Sequence, residues 1–322
     1  MSQVLSDFNA PSVPSLVFVH GFLDEGTLWA PVMEHLKADG IISLAPDLPG
    51  MGALAGNVSM KTLPELAGAV IGVMDAHGRP AVLVGHSMGA QIAELVATER
   101  PHLVEGLILI SPVPLGGMPV PPEVAAAMRS LGGDPVAQRN LRAQFAPSLG
   151  EVALDGLVEV GLKVHPAVVT SLFNTWSEGL PAGDEVSRVT VPTLLLGGGD
   201  DAFSTPELLE SVVAPRFPHA RLMFQAESGH WPHVEHPIQT AARINDFVQI
   251  APRHFRQIGA CTHDAASDGE ENQSMLIDIK DIGMTENTTQ DVEAQPWTHA
   301  FAAKSAEAFG AALASDVILE AT

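Results

Sequence analysis

Short apolar runs alternate with amphipathic segments along the first 250 or so residues of the chain. Apolar runs of four or five residues, several of them β-branched, are typical of strands that are covered on both faces of a sheet. They predict strands at 15–19, 41–45, 81–84, 106–110, 193–196 and 221–224. Helical spacing of apolar residues predicts helices at about 27–37, 63–76, 90–97 and 237–248. The pattern therefore predicts an α/β protein, with a mostly parallel sheet and helices on both faces.

The alternation stops between residues 112 and 189, after the strand that ends near Ile110. Proline and glycine punctuate this stretch, and helices are predicted at 123–131, 136–145 and 167–177. The stretch is flanked by two strands that read as buried. It is therefore expected to be a helical cap inserted into a core formed by residues 1–111 and 190–252.

Residues 253–322 depart from both patterns and form a separate acidic extension of unknown role. Residues 264–272 are acidic and poor in apolar side chains, as in a flexible linker. Residues 297–317 are rich in alanine, with apolar residues at helical spacing, and such a helix needs a partner surface in water. We expect the extension to be an accessory element, through which two copies of the chain could associate.

The composition of the chain disfavours some partners and predicts a cellular compartment. The formal net charge of −22 disfavours nucleic acid and anionic membranes as partners. No basic segment followed by an apolar one opens the chain, and no apolar run approaches the roughly 20 residues of a membrane span. The single cysteine, Cys261, permits no internal disulfide and fits a reducing compartment, so we expect a cytoplasmic protein. The chain has no tyrosine, which excludes a phenolic acid or oxyanion donor.

Gly85-His86-Ser87-Met88-Gly89 lies between a predicted strand and a predicted helix. A G-x-S-x-G pentapeptide in this context is typical of a nucleophile elbow, in which the serine occupies a sharp and strained turn. Glycines on either side let the strand and the helix approach closely without Cβ clashes. The serine hydroxyl then projects at a helix N-terminus, where the partial positive charge favours a developing anion.

Three further motifs lie at the ends of predicted strands. His20-Gly21-Phe22 follows the first strand, and Gly198-Gly199-Asp200-Asp201 follows the fifth. Ser228-Gly229-His230-Trp231-Pro232 follows the sixth. Serine, acid and histidine thus occur in the chain order known from one class of hydrolases.

On these motifs, the chain from Ser15 to Gln249 resembles the α/β-hydrolases of the lipase, esterase and small-hydrolase kind. The resemblance implies that Ser87 is a nucleophile and that His230 accepts its proton. It also implies that Asp201 orients His230, because Asp201 fits the register of the family's acid, with Asp200 as the alternative.

The resemblance further implies an oxyanion hole formed by the backbone N–H groups of Phe22 and Met88. Caps in this family lie over the nucleophile, so some apolar residues of the insertion are expected to line the substrate pocket. Only 14 residues precede the first strand, where family members usually have an antiparallel hairpin. The sheet is therefore expected to lack one or two strands.

The remaining motif histidines have simpler interpretations. His20 is expected to brace its loop, and His233 and His236 to be structural or exposed. The spacing of His230, His233 and His236, with Pro232 between them, does not put three ligands on one helical face. We therefore expect no metal and no cofactor.

The function implied is a serine hydrolase that cleaves a carboxylic ester or lactone of a small to medium apolar substrate, through an acyl-enzyme on Ser87. Hydrolases of carbon–carbon bonds keep the same triad and remain an alternative. A cofactor-independent oxygenase would use a His–Asp pair and could dispense with Ser87. A non-catalytic ligand receptor built on the same fold is the third alternative.

Overall fold

A computed structural model describes residues 14–249 of the 322-residue chain. The predicted accessory extension, with its linker and its helix, lies outside these residues. Within them, six strands form one parallel sheet in the order β2-β1-β3-β4-β5-β6. The strands are β1 Ser15–Val19, β2 Ile42–Leu44, β3 Ala81–His86, β4 Val104–Ile110, β5 Thr193–Gly198 and β6 Arg221–Gln225.

Helices connect these strands, and most of them agree with the predicted positions. In chain order they are α1 Ala30–Ala38, α2 Leu63–His77, α3 Met88–Glu99, α4 Pro122–Ser130, α5 Pro135–Phe145, α6 Glu151–Leu162, α7 Pro166–Glu178, α8 Pro206–Leu208, α9 Pro232–Glu235 and α10 at 237–249. None of the helices in the described part of the chain is long and apolar enough to cross a membrane.

The core lies on both faces of the sheet, because alternate side chains of a strand point to opposite sides. On one face, Leu83 and Leu107 belong to a buried cluster with residues of α2, α3 and the insertion. On the other face, Val84 and Ile108 belong to a second cluster with residues of α1 and α10. Burial of each such side chain is worth about 1.5–3 kcal/mol, and cover on both faces explains the near-continuous apolar strands.

Helices α4 to α7 all come from the stretch between β4 and β5. Helix α6 is absent from the sequence prediction, because two glycines and several valines weaken its helical signal. The structure explains one of those glycines. A Cβ on Gly161 would lie 2.0 Å from Gln138 Oε1 and 2.9 Å from Arg142 Nη2, so α5 and α6 could not pack as closely.

The order of the strands indicates where in the sheet a ligand site is expected. The chain runs from β1 outward to β2 and then returns across β1 to β3, so the direction of strand progression reverses between β1 and β3. Open α/β sheets bind ligands at the carboxyl ends of their strands beside such a reversal. The four motifs follow β1, β3, β5 and β6, which brings them to the same edge of the sheet.

The outer strand β2 is shorter than its predicted span of 41–45, and Ile42 in it is 44% exposed. Natural proteins often keep edge strands short, which limits pairing with other chains. No antiparallel strand occurs among residues 14–249, and the residues before position 14 lie outside the described part.

Candidate active site

Ser87 occupies the junction of β3 and α3, in a backbone conformation that L-residues rarely adopt. Its φ is 53° and its ψ is −119°, which is a strained combination for a residue with a side chain. A Cβ on Gly85 would lie 2.3 Å from Gly89 O, and a Cβ on Gly89 would lie 2.3 Å from Val19 O. Both glycines of the pentapeptide are therefore required by close backbone approach, as the sequence pattern predicts.

The structure brings Ser87, His230 and Asp201 together. His230 Nε2 lies 3.0 Å from Ser87 Oγ, and His230 Nδ1 lies 2.9 Å from Asp201 Oδ2. All three residues are buried, which strengthens hydrogen bonds between them. The alternative acid, Asp200, is exposed, and no hydrogen bond of its carboxylate to His230 is present.

The turn after β5 holds the Asp201 carboxylate in place. Its Oδ1 accepts hydrogen bonds from the backbone N–H groups of Phe203 and Ser204, both at 2.8 Å. Its other oxygen remains for His230. The turn lies directly against the histidine loop, since a Cβ on Gly198 would be 2.1 Å from Gly229 O.

The loop that contains Phe22 passes beside the serine. A Cβ on Gly21 would lie 3.1 Å from the Ser87 Cβ and 3.0 Å from His86 Nδ1. Phe22 lines the cavity above Ser87. Met88 is the first residue of α3, so its N–H has no intrahelical acceptor and is free to bind an anion. Phe22, which follows Gly21, and Met88, which follows Ser87, thus both lie beside the serine.

The other motif histidines differ in their surroundings. His20 is buried, and its Nε2 accepts the backbone N–H of Leu48 at 3.0 Å, which is the bracing role expected from the sequence. His236 contacts the Glu227 carbonyl at 3.0 Å. His233 is fully buried and stacks on Trp29, and neither of its ring nitrogens has a hydrogen-bond partner among the described residues. Within residues 14–249, no group of three or more His, Cys, Asp or Glu side chains could hold a metal ion.

A mostly apolar cavity opens onto Ser87 and His230. Six of its lining residues come from the helical insertion, which therefore forms part of the cavity wall: Met128, Gln138, Leu141, Arg142, Phe145 and Trp176.

Charged residues that the sequence motifs do not single out also line this cavity. Asp24 accepts hydrogen bonds from Arg142 Nη1 at 3.1 Å and from Trp231 Nε1 at 3.0 Å, and all three residues are buried. The sequence gives no strong signal for Arg142. On α5, Gln138, Arg142 and Phe145 share one buried helix face, and two of these three side chains are polar.

Asp24 is ionised despite its burial. Burial by itself raises the pKa of the carboxyl, but the adjacent His86 imidazole, the Arg142 guanidinium and the Trp231 N–H outweigh it and lower that pKa well below its ordinary value. At 3.5 Å, the His86 contact is longer than an ordinary hydrogen bond, so Arg142 and Trp231 are the firmer partners.

The backbone of His230 is held from two sides. Its N–H donates to Phe145 O at 2.8 Å, and its carbonyl accepts from His86 Nε2 at 2.7 Å. A carbonyl only accepts, so Nε2 of His86 carries a proton. Glu235, which follows in the same loop, accepts the N–H groups of Gly229 and Trp231 at 2.9 and 3.0 Å.

The comparisons with known proteins agree with this fold. The family model described as "Alpha/beta hydrolase family" matches residues 16–243. The uncharacterized hydrolase YugF of Bacillus subtilis is 27% identical, over 75% of this chain and 92% of that protein. The pimeloyl-[acyl-carrier protein] methyl ester esterase of Stenotrophomonas maltophilia is 28% identical, over 73% of this chain and 93% of that protein.

Another relative bears the name of a different hydrolase, and a solved structure shares the fold. The 2-hydroxy-6-oxononadienedioate/2-hydroxy-6-oxononatrienedioate hydrolase of Cupriavidus pinatubonensis is 27% identical, over 73% of this chain and 86% of that protein. The esterase EaEST of Exiguobacterium antarcticum has the same fold, with a TM-score of 0.66 at 18% identity, over 74% of this chain and 93% of that one. Because the family model spans most of the chain, and the sheet and its helices agree with it, this chain belongs to the alpha/beta hydrolase family.

Proposed function

We propose that the chain hydrolyses carboxylic esters through an acyl-enzyme on Ser87. The observation that carries the proposal is the unbroken hydrogen-bonded series from Ser87 Oγ to His230 to Asp201, at 3.0 and 2.9 Å. A nucleophile in contact with a base, and the base in contact with a third group that orients it, is the arrangement that acyl transfer by serine needs.

In acylation, Ser87 Oγ attacks the ester carbonyl carbon while its proton passes to His230 Nε2. The carbonyl oxygen becomes an oxyanion, which the N–H groups of Phe22 and Met88 stabilise. When the tetrahedral intermediate collapses, the alcohol leaves with the proton from His230. The acyl group stays on Ser87.

In deacylation, His230 takes a proton from water, and the resulting hydroxide attacks the acyl carbon. The second tetrahedral intermediate collapses, Ser87 Oγ recovers the proton, and the carboxylic acid leaves. Asp201 accepts the Nδ1–H of His230 throughout. It therefore keeps the basic nitrogen directed at the serine and stabilises the imidazolium.

The lining of the cavity supports a small to medium apolar ester or lactone as substrate, because Phe22, Leu141 and Trp176 offer apolar contacts. We treat residues 112–189 as the cap that forms this pocket. The methyl ester esterase among the relatives acts on a carboxylic ester, which is consistent with the proposal.

A carbon–carbon bond hydrolase is a second candidate, because a relative of similar identity bears the name of such an enzyme. This reaction uses the same serine and histidine, so the triad alone does not separate the two activities. Substrate chemistry separates them. Turnover of p-nitrophenyl esters of graded acyl length, beside lactones, amides and vinylogous 1,5-diketo acids, identifies the bond that is cleaved.

Replacement of Ser87 by alanine tests the mechanism. We expect Ser87→Ala to lower kcat for the preferred ester by about 10³-fold or more, because the nucleophile is gone while binding remains. A fluorophosphonate should label the unmodified protein at Ser87, and mass spectrometry of the peptide measures this. Ester turnover that survives in Ser87→Ala contradicts the acyl-enzyme, and oxygen consumption by that variant would instead support the oxygenase. An unmodified protein that binds the compounds and turns over none of them supports the receptor.

A further inference from the structure

Arg142 lies on α5 of the helical insertion, yet its guanidinium reaches the loop after β1. Nη1 donates to Asp24 Oδ1 at 3.1 Å, and Nη2 donates to the Leu23 carbonyl at 2.8 Å. Its side chain is 2% exposed. One guanidinium thus holds two consecutive residues of the loop that follows Phe22.

That loop is strained at the point where Arg142 holds it. Leu23 has a φ of 60°, which lies in the left-handed region that residues with a side chain rarely adopt. Such a conformation persists only where the surroundings impose it. The hydrogen bond to the Leu23 carbonyl is one such restraint. The preceding residue is Phe22, whose N–H is the proposed oxyanion donor.

The same contacts extend to the histidine loop. Trp231 follows His230, and its Nε1 donates to Asp24 Oδ2 at 3.0 Å. The Arg142 guanidinium also lies 5.3 Å from the centre of the Trp231 ring, within cation–π distance. One turn further along α5, Phe145 O accepts the His230 N–H, and the Phe145 ring stacks on Phe203 at 4.9 Å.

Stability alone is a poor explanation for this buried pair. Removing two charges from water costs free energy that their attraction often fails to recover, and well-packed apolar side chains of similar size are frequently as stable. This ion pair lies in the wall of the active site and contacts a strained loop, so it can restrain the conformation of that loop.

We propose that Arg142 is a positioning residue, which holds the oxyanion loop in its competent conformation only while α5 is docked on the core. The inference rests on the proposed ester hydrolysis. It makes the insertion part of the catalytic apparatus as well as a wall of the substrate pocket. Arg142 acts through Leu23 and Asp24 on the Phe22 N–H, and it does not take part in bond making.

Two variants remove or weaken the hydrogen bonds of Arg142 to Asp24 and to the Leu23 carbonyl, and both limit the risk of misfolding. In Arg142→Met with Asp24→Asn, both charges disappear together, so no unpaired charge is left buried. In Arg142→Lys the charge stays, but a single ammonium does not reproduce the planar fork that reaches two oxygens. Arg139→Met is the matched control, because Arg139 lies on the same helix, is more exposed and pairs with Glu151 and Asp155 on the surface.

The measurements are kcat and KM for a p-nitrophenyl ester, per active site titrated with fluorophosphonate, and the affinity for 1-butaneboronic acid. The boronate forms a tetrahedral adduct on serine and so reports on the oxyanion hole. In the double variant we expect kcat to fall by about 10- to 100-fold, since small misplacements of catalytic groups cost up to about 10². The boronate affinity should fall in parallel, KM should stay within about twofold, and Arg142→Lys should lie between the double variant and the control.

Full kcat per titrated site in the folded double variant overturns the proposal. So does a loss that appears only in KM, or an equal loss in Arg139→Met. A fall in melting temperature with unchanged kcat and boronate affinity assigns Arg142 a structural role only, which also overturns it. If the unmodified protein neither reacts with fluorophosphonate nor turns over any ester, the proposed function fails and this inference fails with it.

Discussion

Two buried arginine–carboxylate pairs occur among the described residues, and their hydrogen bonds are arranged differently. Arg216 and Glu94 form a bidentate pair, at 2.9 and 2.7 Å, to which Ser187 Oγ adds a hydrogen bond at 2.7 Å. Glu94 lies on α3 and Arg216 lies between α8 and β6, while Ser187 lies in the segment that leads from the insertion to β5. Arg142 contacts Asp24 through one nitrogen only and uses the other for the Leu23 carbonyl.

The difference lies in what each arginine restrains. Arg216 satisfies both oxygens of one carboxylate, which is the geometry of a strong and closed pair. Arg142 distributes its donors over a strained loop, and its carboxylate partner is shared with the residue that follows His230. Similar chemistry therefore gives an anchor in one place and a positioning device in the other.

A third buried carboxylate gives the largest expected effect, because it contacts a histidine rather than an arginine. Asp201→Asn should lower kcat by about 10⁴-fold, since an amide favours the wrong tautomer of His230 and does not stabilise the imidazolium. Asp200→Asn is the matched control and should stay within about twofold, because its side chain is exposed. Steady-state kinetics with one ester measures both variants. The reverse ranking would show that the acid has been assigned one residue too late.

The anchor pair should affect stability rather than catalysis. Glu94→Gln leaves the Arg216 charge buried without its counter-ion, so the free energy of unfolding should fall by about 3–5 kcal/mol. Urea unfolding measures this change, and kcat per titrated site should remain close to that of the unmodified protein. Adding Arg216→Met should restore part of the lost stability. A fall in kcat as large as that in the Arg142 variants would remove the distinction between the two pairs.

The smallest expected effect is a loss of stability at acidic pH. Burial lowers the pKa of His233 well below the ordinary 6.5, and nearby His86 acts in the same direction. The folded protein therefore keeps His233 neutral, while in the unfolded chain this side chain binds a proton below about pH 6.5. The free energy of unfolding therefore falls as the pH drops below 6.5, by up to about 1.4 kcal/mol per pH unit.

Exchange of this histidine tests the prediction. His233→Phe keeps a ring stacked on Trp29, so the free energy of unfolding should depend less steeply on pH between about 6.5 and 5. Urea unfolding at several pH values measures the slope. The control His35→Gln, at an exposed position, should leave the slope unchanged. An unchanged slope in His233→Phe would show that His233 is protonated in the folded protein.

Much of the fold follows from local sequence. Apolar runs of strand length and helical spacing place all six described strands and most helices, because each element is chosen mainly by its own residues. The elbow around Ser87 is local in the same sense, since Gly85 and Gly89 meet across a single turn. Helix α6 is not predicted in this way, because Gly161 lowers its helix propensity. That glycine is needed for the close packing of α6 against α5.

The rest of the site depends on contacts between distant positions. Arg142 and Asp24 are 118 residues apart in the chain, and Trp231 is 207 residues from Asp24. No local pattern connects them, because a charged residue on a helix does not indicate which distant residue it contacts. The sequence by itself determined the alternation of strands and helices, the strained serine turn and the order of serine, acid and histidine. The family resemblance favours Asp201 over Asp200, but only the tertiary structure places Asp201 beside His230 and brings Arg142 to the oxyanion loop, because both contacts depend on how separate loops converge at one edge of the sheet.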